Sequence, residues 1–263
     1  MISTTDLINE KFLEHPFLRY GDTRFFYPHI NEQRKVLEVA NSFIGESNDP
    51  QKSLGVLAGP IGSGKTMLAM KLAAGVHPGL DQGVSHGVYI NTNTITEPRH
   101  FLMTLVDSLG LPSSRSNANR LDSIFDYLQQ SGESLLMVLD GPPVDQTYLN
   151  EMLGWSVEHN KKIRALIFLQ DLYETTTNLG DLNEFLGLYH PFRAPSIQEI
   201  ANLLYSRSKM AGHPDPLKLM DEQSILDIAR EARGSLTNAL IQAAQYLENL
   251  IEEKKNRLAI MDI

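Results

Sequence analysis

The stretch Leu54-Gly55-Val56-Leu57-Ala58-Gly59-Pro60-Ile61-Gly62-Ser63-Gly64-Lys65-Thr66-Met67 decides how the rest of the chain is read. Its first five residues are a short apolar run, the pattern of a strand buried on both faces. Gly59 to Thr66 matches G-x-x-x-x-G-K-[ST] at every fixed position, and Met67 to Ala74 continues with helical apolar spacing. Strand, glycine-rich turn and helix in that order are the context that gives the motif its meaning. Glycine lets successive N–H groups turn inward around phosphate oxygens with no side chain in the way. The helix that follows adds the positive end of its dipole. Lys65 supplies a mobile charge for β- and γ-phosphates, and the Thr66 hydroxyl is a ligand for Mg²⁺. Gly59, Pro60, Ile61, Gly62, Ser63, Gly64, Lys65, Thr66 and Met67 are thus the expected nucleotide-binding residues, with ATP and Mg²⁺ as cofactors.

Working outward, Asn31 to Phe43 has helical spacing, and Gly87-Val88-Tyr89-Ile90 reads as a second strand. Phe101–Leu109 and Leu121–Leu128 read as helices. Leu135 to Leu139 is the clearest strand, and Ser134 to Asp140 reads as the matching Walker B strand, whose terminal Asp140 would hold the Mg²⁺ through water. Tyr148–Val157 reads as a helix, and Ala165-Leu166-Ile167-Phe168-Leu169 as the next buried strand, with Gln170 at its end. Apolar runs alternating with helices imply a parallel sheet covered on both faces. Past Ala194-Pro195 the strands stop. Ser196-Ile197-Gln198-Glu199 has capping-box spacing and opens a helix through Met210. Two more helices are expected, over Asp221–Arg233 and Ser235–Glu252. The expected fold class is therefore α/β, a P-loop NTPase three-layer sandwich with a parallel sheet, followed by a small C-terminal helical lid domain. The boundary divides residues 1–194, an N-terminal arm with the nucleotide-binding domain, from residues 195–263, the lid.

Composition narrows the function classes. The 263 residues carry 23 Lys+Arg against 32 Asp+Glu, a formal net charge of −9. That balance argues against a broad nucleic-acid-coating surface, while leaving room for a local basic patch. With no cysteine, disulfides, thiolate metal sites and a cysteine nucleophile are excluded, which fits a reducing compartment. No apolar run reaches the ~20 residues of a membrane span, and Met1-Ile2-Ser3-Thr4-Thr5-Asp6 is too polar for a signal peptide. A cytoplasmic protein is expected. The histidines show no metal spacing, and no serine sits in a nucleophile-elbow context.

With these motifs in place the chain resembles the AAA+ ATPases, within them the ExeA-like secretion ATPases and their origin-recognition and transposition relatives. The resemblance is carried by His15-Pro16-Phe17, Phe25-Phe26-Tyr27-Pro28-His29, the phosphate loop, Leu105-Val106-Asp107-Ser108-Leu109-Gly110-Leu111 and Asp140. In the lid it is carried by Ser206-Arg207-Ser208-Lys209-Met210-Ala211-Gly212 and Ala232-Arg233-Gly234-Ser235-Leu236-Thr237-Asn238-Ala239-Leu240. It implies Phe25, Phe26 and Tyr27 as a wall against adenine, although an aromatic cluster docking the arm reads as well. It also implies Gln170 as the sensor at the end of the fourth strand, so Asp140 and Gln170 are the expected catalytic residues and Thr66 with Asp140 the metal ligands.

The departures from the pattern bear on hydrolysis. Relatives follow the Walker B aspartate with a water-activating glutamate; here Gly141-Pro142-Pro143 follows, and Asp145 is the nearest carboxylate. The second-sensor arginine position is Thr237, and Asn183-Glu184-Phe185-Leu186-Gly187 offers no arginine finger, leaving Arg193 and Arg207 as substitutes. Losing an arginine finger alone costs ~10³–10⁵ in rate. Asp140-Gly141-Pro142-Pro143 also echoes the MinD/ParA-type ATPases, but Pro60 and Ile61 stand where those carry an extra lysine. Arg233, Lys254, Lys255 and Arg257 form a basic stretch that Glu231, Glu248, Glu252 and Glu253 intersperse. Little sequence follows Glu252, so no added DNA-reading domain is expected. These features imply an ATP-binding nucleotide-dependent switch or assembly subunit, with weak or partner-dependent hydrolysis. Its partners would be ATP/ADP and a protein or further copies of itself. An active motor on DNA or a secretion apparatus, and an interaction module with a vestigial loop, stay open as alternatives.

Overall fold

The four apolar runs read as strands are strands, and a fifth joins them. They are β1 (Leu54–Ala58), β2 (His86–Asn91), β3 (Leu135–Asp140), β4 (Ile163–Leu169) and β5 (Leu186–Pro191), all parallel, in the order β2-β3-β4-β1-β5. The computed structural model describes residues 12–18, 24, 30–46, 49–75, 85–143, 146–160, 163–170, 179–218 and 220–261. By its internal packing the chain forms two compact units, one of residues 35–60 and 68–192, the other of residues 1–34, 61–67 and 193–263.

The sheet lies wholly in the first of these. Every residue of the three inner strands β1, β3 and β4 is buried, as continuous apolar runs require. The edge strands differ: β5 alternates half-buried and exposed residues and ends on Pro191, which an edge tolerates because no ladder bond is lost. That alternation, over a run containing Gly187, Tyr189 and His190, is why β5 has no apolar signature in sequence. Helices α3 (Pro98–Ser108), α4 (Asn117–Ser131) and α5 (Gln146–Glu158) share one core with alternate strand residues such as Val56, Met137 and Ile167. On β4, between two core residues, Arg164 is buried and donates to the carbonyls of Phe43 and Ile44, at 2.6 Å to the latter. It thereby satisfies the last turn of α1 (Asn31–Glu46), whose carbonyls have no partner within the helix.

The second unit is helical. Its core joins α6 (Ile197–Met210), α7 (Glu222–Glu231) and α8 (Leu236–Met261) to Phe12, Phe17 and Ile30 from the start of the chain. The capping box is made as its spacing predicts: Ser196 Oγ accepts from Glu199 N, and Glu199 Oε2 accepts from Ser196 N at 2.9 Å. The other oxygen of Glu199 accepts from Asn31 N at 2.8 Å, so one carboxylate satisfies the first turns of both α6 and α1. Helix α8 runs past Glu252; Ile251 is buried and residues 252–257 are exposed. Among the described residues no helix is long and apolar enough to cross a membrane.

Candidate functional site

The phosphate loop takes its shape from two glycines. Gly62 and Gly64 adopt φ of +77° and +93°, a region that costs side chains dearly and glycine nothing. The space around them is closed as well. A Cβ on Gly62 would lie 2.1 Å from Ser235 Oγ, and one on Gly64 would lie 2.2 Å from Gln33 Nε2. Gly59 needs no unusual φ but has its own reason, since a Cβ there would meet the Phe192 ring at 2.8 Å. Its amide donates to Leu169 O at 3.1 Å, which continues the β1–β4 ladder to the mouth of the loop.

The loop opens helix α2 (Lys65–Ala74), so Lys65 and Thr66 are its first two residues. Lys65 is buried and Thr66 is exposed. Ser63 is buried too, and its Oγ has no hydrogen-bond partner among the described residues. Ile61 stands exposed at the tip of the loop, beside exposed Pro60, and Met67 is half-buried in the first turn of α2. Two of the loop's carbonyls are held from outside: Gly62 O accepts from Leu236 N at 2.7 Å, and Ser63 O accepts from Gln33 Nε2 at 3.0 Å.

Asp140 closes β3 in the sheet-bearing unit, opposite Asn91 in the β2–β3 register, and is buried. The Tyr89 hydroxyl donates to its Oδ2 at 2.9 Å, while Thr92 Oγ1 and Asn93 Nδ2 donate to its backbone carbonyl. Burial, the neighbouring Asp140 charge and that hydrogen bond together push the Tyr89 pKa far above the ordinary tyrosine value. Tyr89 therefore stays protonated and remains a donor. Gly141, at φ +116°, leaves room for Thr92, whose Oγ1 would be 2.5 Å from a Cβ there.

The remaining expected residues fall into three groups. Gln170 is an exposed residue just past the end of β4. Tyr27, with Phe25 and Phe26, lies outside the described residues, as does Asp145. Of the two substitute arginines, Arg193 is exposed and paired with Glu32 at 3.1 Å. Arg207 is buried with its Nε on Pro16 O at 2.9 Å, so it braces the N-terminal arm. Gln33, Tyr89, Thr92 and Asn93 belong to no sequence motif, because each reaches its partner through tertiary pairing.

Thr66 offers a hydroxyl and Asp140 a carboxylate, each by itself an oxygen of the kind Mg²⁺ takes, usually alongside phosphate and water. Among the described residues no three His, Cys, Asp or Glu side chains gather into a protein-only metal cage.

Solved structures share the fold. The ORC2 protein of Aeropyrum pernix, solved as ADPNP and ADP complexes, superposes with a TM-score of 0.65 at 19% identity, over 90% of this chain and 71% of its own. Cdc6p of Pyrobaculum aerophilum gives 0.61 at 19% identity, over 83% and 63%. The Aeropyrum pernix ORC1 protein in complex with DNA gives 0.60 at 17%, over 89% and 66%. The fold is that of these ORC and Cdc6 proteins. The chain spans less than two thirds of the Cdc6p and ORC1 chains. No protein-family model and no curated protein matches the sequence.

Proposed function

We propose that this AAA+ chain binds ATP, and ADP after hydrolysis, through the loop Gly59–Met67, and acts as a nucleotide-dependent switch or assembly subunit. The observation that carries the reading is the loop itself: two positive-φ glycines leading into the first turn of a helix that begins with Lys65 and Thr66. Lys65 would bind the β- and γ-phosphates. Thr66 and Asp140 would hold Mg²⁺, whose contribution when bound is to bridge and neutralise phosphate oxygens. Met67 follows in the same helix turn, and Tyr27 completes the nucleotide site as a wall for adenine. Asp140 and Gln170 would be the residues nearest the chemistry. Residues 1–194 would act as the nucleotide-binding domain and residues 195–263 as the lid, in the cytoplasm.

Weak or partner-dependent hydrolysis is supported by Gly141 after Asp140, by Thr237 in the second-sensor position, and by the use of Arg207 as a brace. The partner would be a protein or a second copy of the chain. Calorimetry with ATP and Mg²⁺ tests the core of this reading: Lys65→Ala should weaken binding by about a hundredfold, roughly two charge-assisted hydrogen bonds. Equal affinity in the wild type and the variant would overturn it.

A second reading is favoured by the neighbours solved with DNA, namely an active motor working on DNA. Phosphate release with and without duplex DNA separates the two. Slow turnover that DNA leaves unchanged supports the switch, and DNA-stimulated turnover lost in Asp140→Asn supports the motor.

A further inference from the structure

A phosphate loop binds anions with its amides, so the direction of its carbonyls matters equally. All described peptide bonds are trans. In a trans peptide the C=O and the following N–H point in opposite directions. The Gly62 carbonyl is held by Leu236 N at 2.7 Å and the Ser63 carbonyl by Gln33 Nε2 at 3.0 Å. The amides of Ser63 and Gly64 are therefore turned away from these two supports. Gln33 sits in the first turn of α1 and is only 3% exposed. Its amide nitrogen touches the loop so closely that a Cβ on Gly64 would come within 2.2 Å of it. Leu236, the first residue of α8, backs the same stretch, with Cδ1 at 3.0 Å from that Cβ position.

We propose that Gln33 is a positioning residue of the phosphate loop, which together with the Leu236 amide fixes the loop's carbonyls outward and its amides toward the phosphate before any ligand arrives. The reading of the loop as a nucleotide site underlies this. Gln33 acts through Ser63, whose carbonyl it holds. A cradle set in advance loses less ordering entropy on binding than one the ligand must shape. Removing the donor frees the Ser63 peptide to rotate and leaves a buried carbonyl unpaired.

The test is ADP binding by calorimetry, with the ³¹P resonances of bound ADP and the melting temperature of the ligand-free protein measured alongside. Gln33→Met keeps the length of the side chain and deletes the donor. It should weaken ADP about tenfold and shift the bound β-phosphate line, alongside the fall in melting temperature that one unpaired buried carbonyl brings. A merely structural role would lower the melting temperature and leave the bound line where the wild type has it. If Gln33→Met does not fold, Gln33→Leu likewise deletes the donor without adding charge, and the same shift is expected. Wild-type affinity and an unmoved β-phosphate line in the variants overturn the proposal. Failure of the wild type to bind ADP overturns instead the nucleotide reading on which it stands.

Discussion

At the scale of single residues, the phosphate loop shows two kinds of information in one motif. The G-x-x-x-x-G-K-T spacing is local, and the structure returns it as two positive-φ glycines and a helix start at Lys65. What packs behind the glycines is not local. Gly62 meets Ser235 and Gly64 meets Gln33, residues far off in sequence, and no spacing rule names either. Gly62 is therefore demanded twice, by its φ of +77° and by Ser235 Oγ at 2.1 Å from the position a Cβ would take. Gly62→Ala should cost about 1–3 kcal/mol from the strained backbone alone, and the displaced loop should lose ADP binding. Urea unfolding and calorimetry on the same sample measure both; wild-type stability with wild-type affinity would refute the double constraint.

Elements were legible where their signals lie within one segment. The inner strands announced themselves as apolar runs, and the α6 capping box as Ser196 and Glu199 three residues apart. Strand β5 did not, because an edge strand alternates and carries its own proline. Nor did the bond from Arg164 to the end of α1, since an arginine inside an apolar strand looks like an interruption until its acceptors are seen. Glu199 combines both cases: its bond to Ser196 follows from spacing, its bond to Asn31 only from the fold. Ser196→Ala should cost about 1 kcal/mol, the usual value of an N-cap, by urea unfolding at neutral pH. The charge on Glu199 makes a further difference. Partial burial works to raise its pKa, but the amides of Ser196 and Asn31, the Ser196 hydroxyl and Arg193 outweigh it and hold the carboxyl below its ordinary 4.5. A lowered folded pKa means stability that is present above 4.5 and lost as pH falls through the folded value. Glu199→Gln keeps an acceptor but cannot titrate. Its unfolding midpoint should fall less steeply than the wild type's over that acid range, and parallel curves would show that the carboxylate contributes nothing there.

At the scale of the molecule, the N-terminal arm is the feature least visible in sequence. Phe12 and Phe17 are buried in the core of α6, α7 and α8. Arg207 fixes Pro16 O across 191 positions, and Leu13 N bonds Ala211 O. Contacts of such sequence separation leave no periodic trace, so only the fold reveals them. The arm's packing also gives the protein a pH limit. His15 Nδ1 accepts from Phe17 N at 3.2 Å, which makes the buried Nε2 the protonated nitrogen, and Nε2 has no partner among the described residues. Protonating Nδ1 would replace that accepted bond with a repelled N–H and bury a charge. Burial accordingly lowers the His15 pKa below 6.5, and the charge of Glu248 offsets this only in part. The unfolded chain then takes up the proton before the folded one does. Stability contributed at this site is complete above 6.5 and declines as pH falls from there toward the folded value. His15→Asn tests this, because an asparagine oxygen can accept from the amide two residues on and does not titrate. The variant is expected to be less stable than wild type at neutral pH, having lost ring packing against Phe17, 6.1 Å away between centroids. Its urea midpoint should nonetheless hold steadier than the wild type's as pH is lowered through the histidine range, so that the gap between the two narrows. A gap that stays constant from neutral pH down to the onset of carboxylate titration would mean that His15 is already free to protonate in the folded arm.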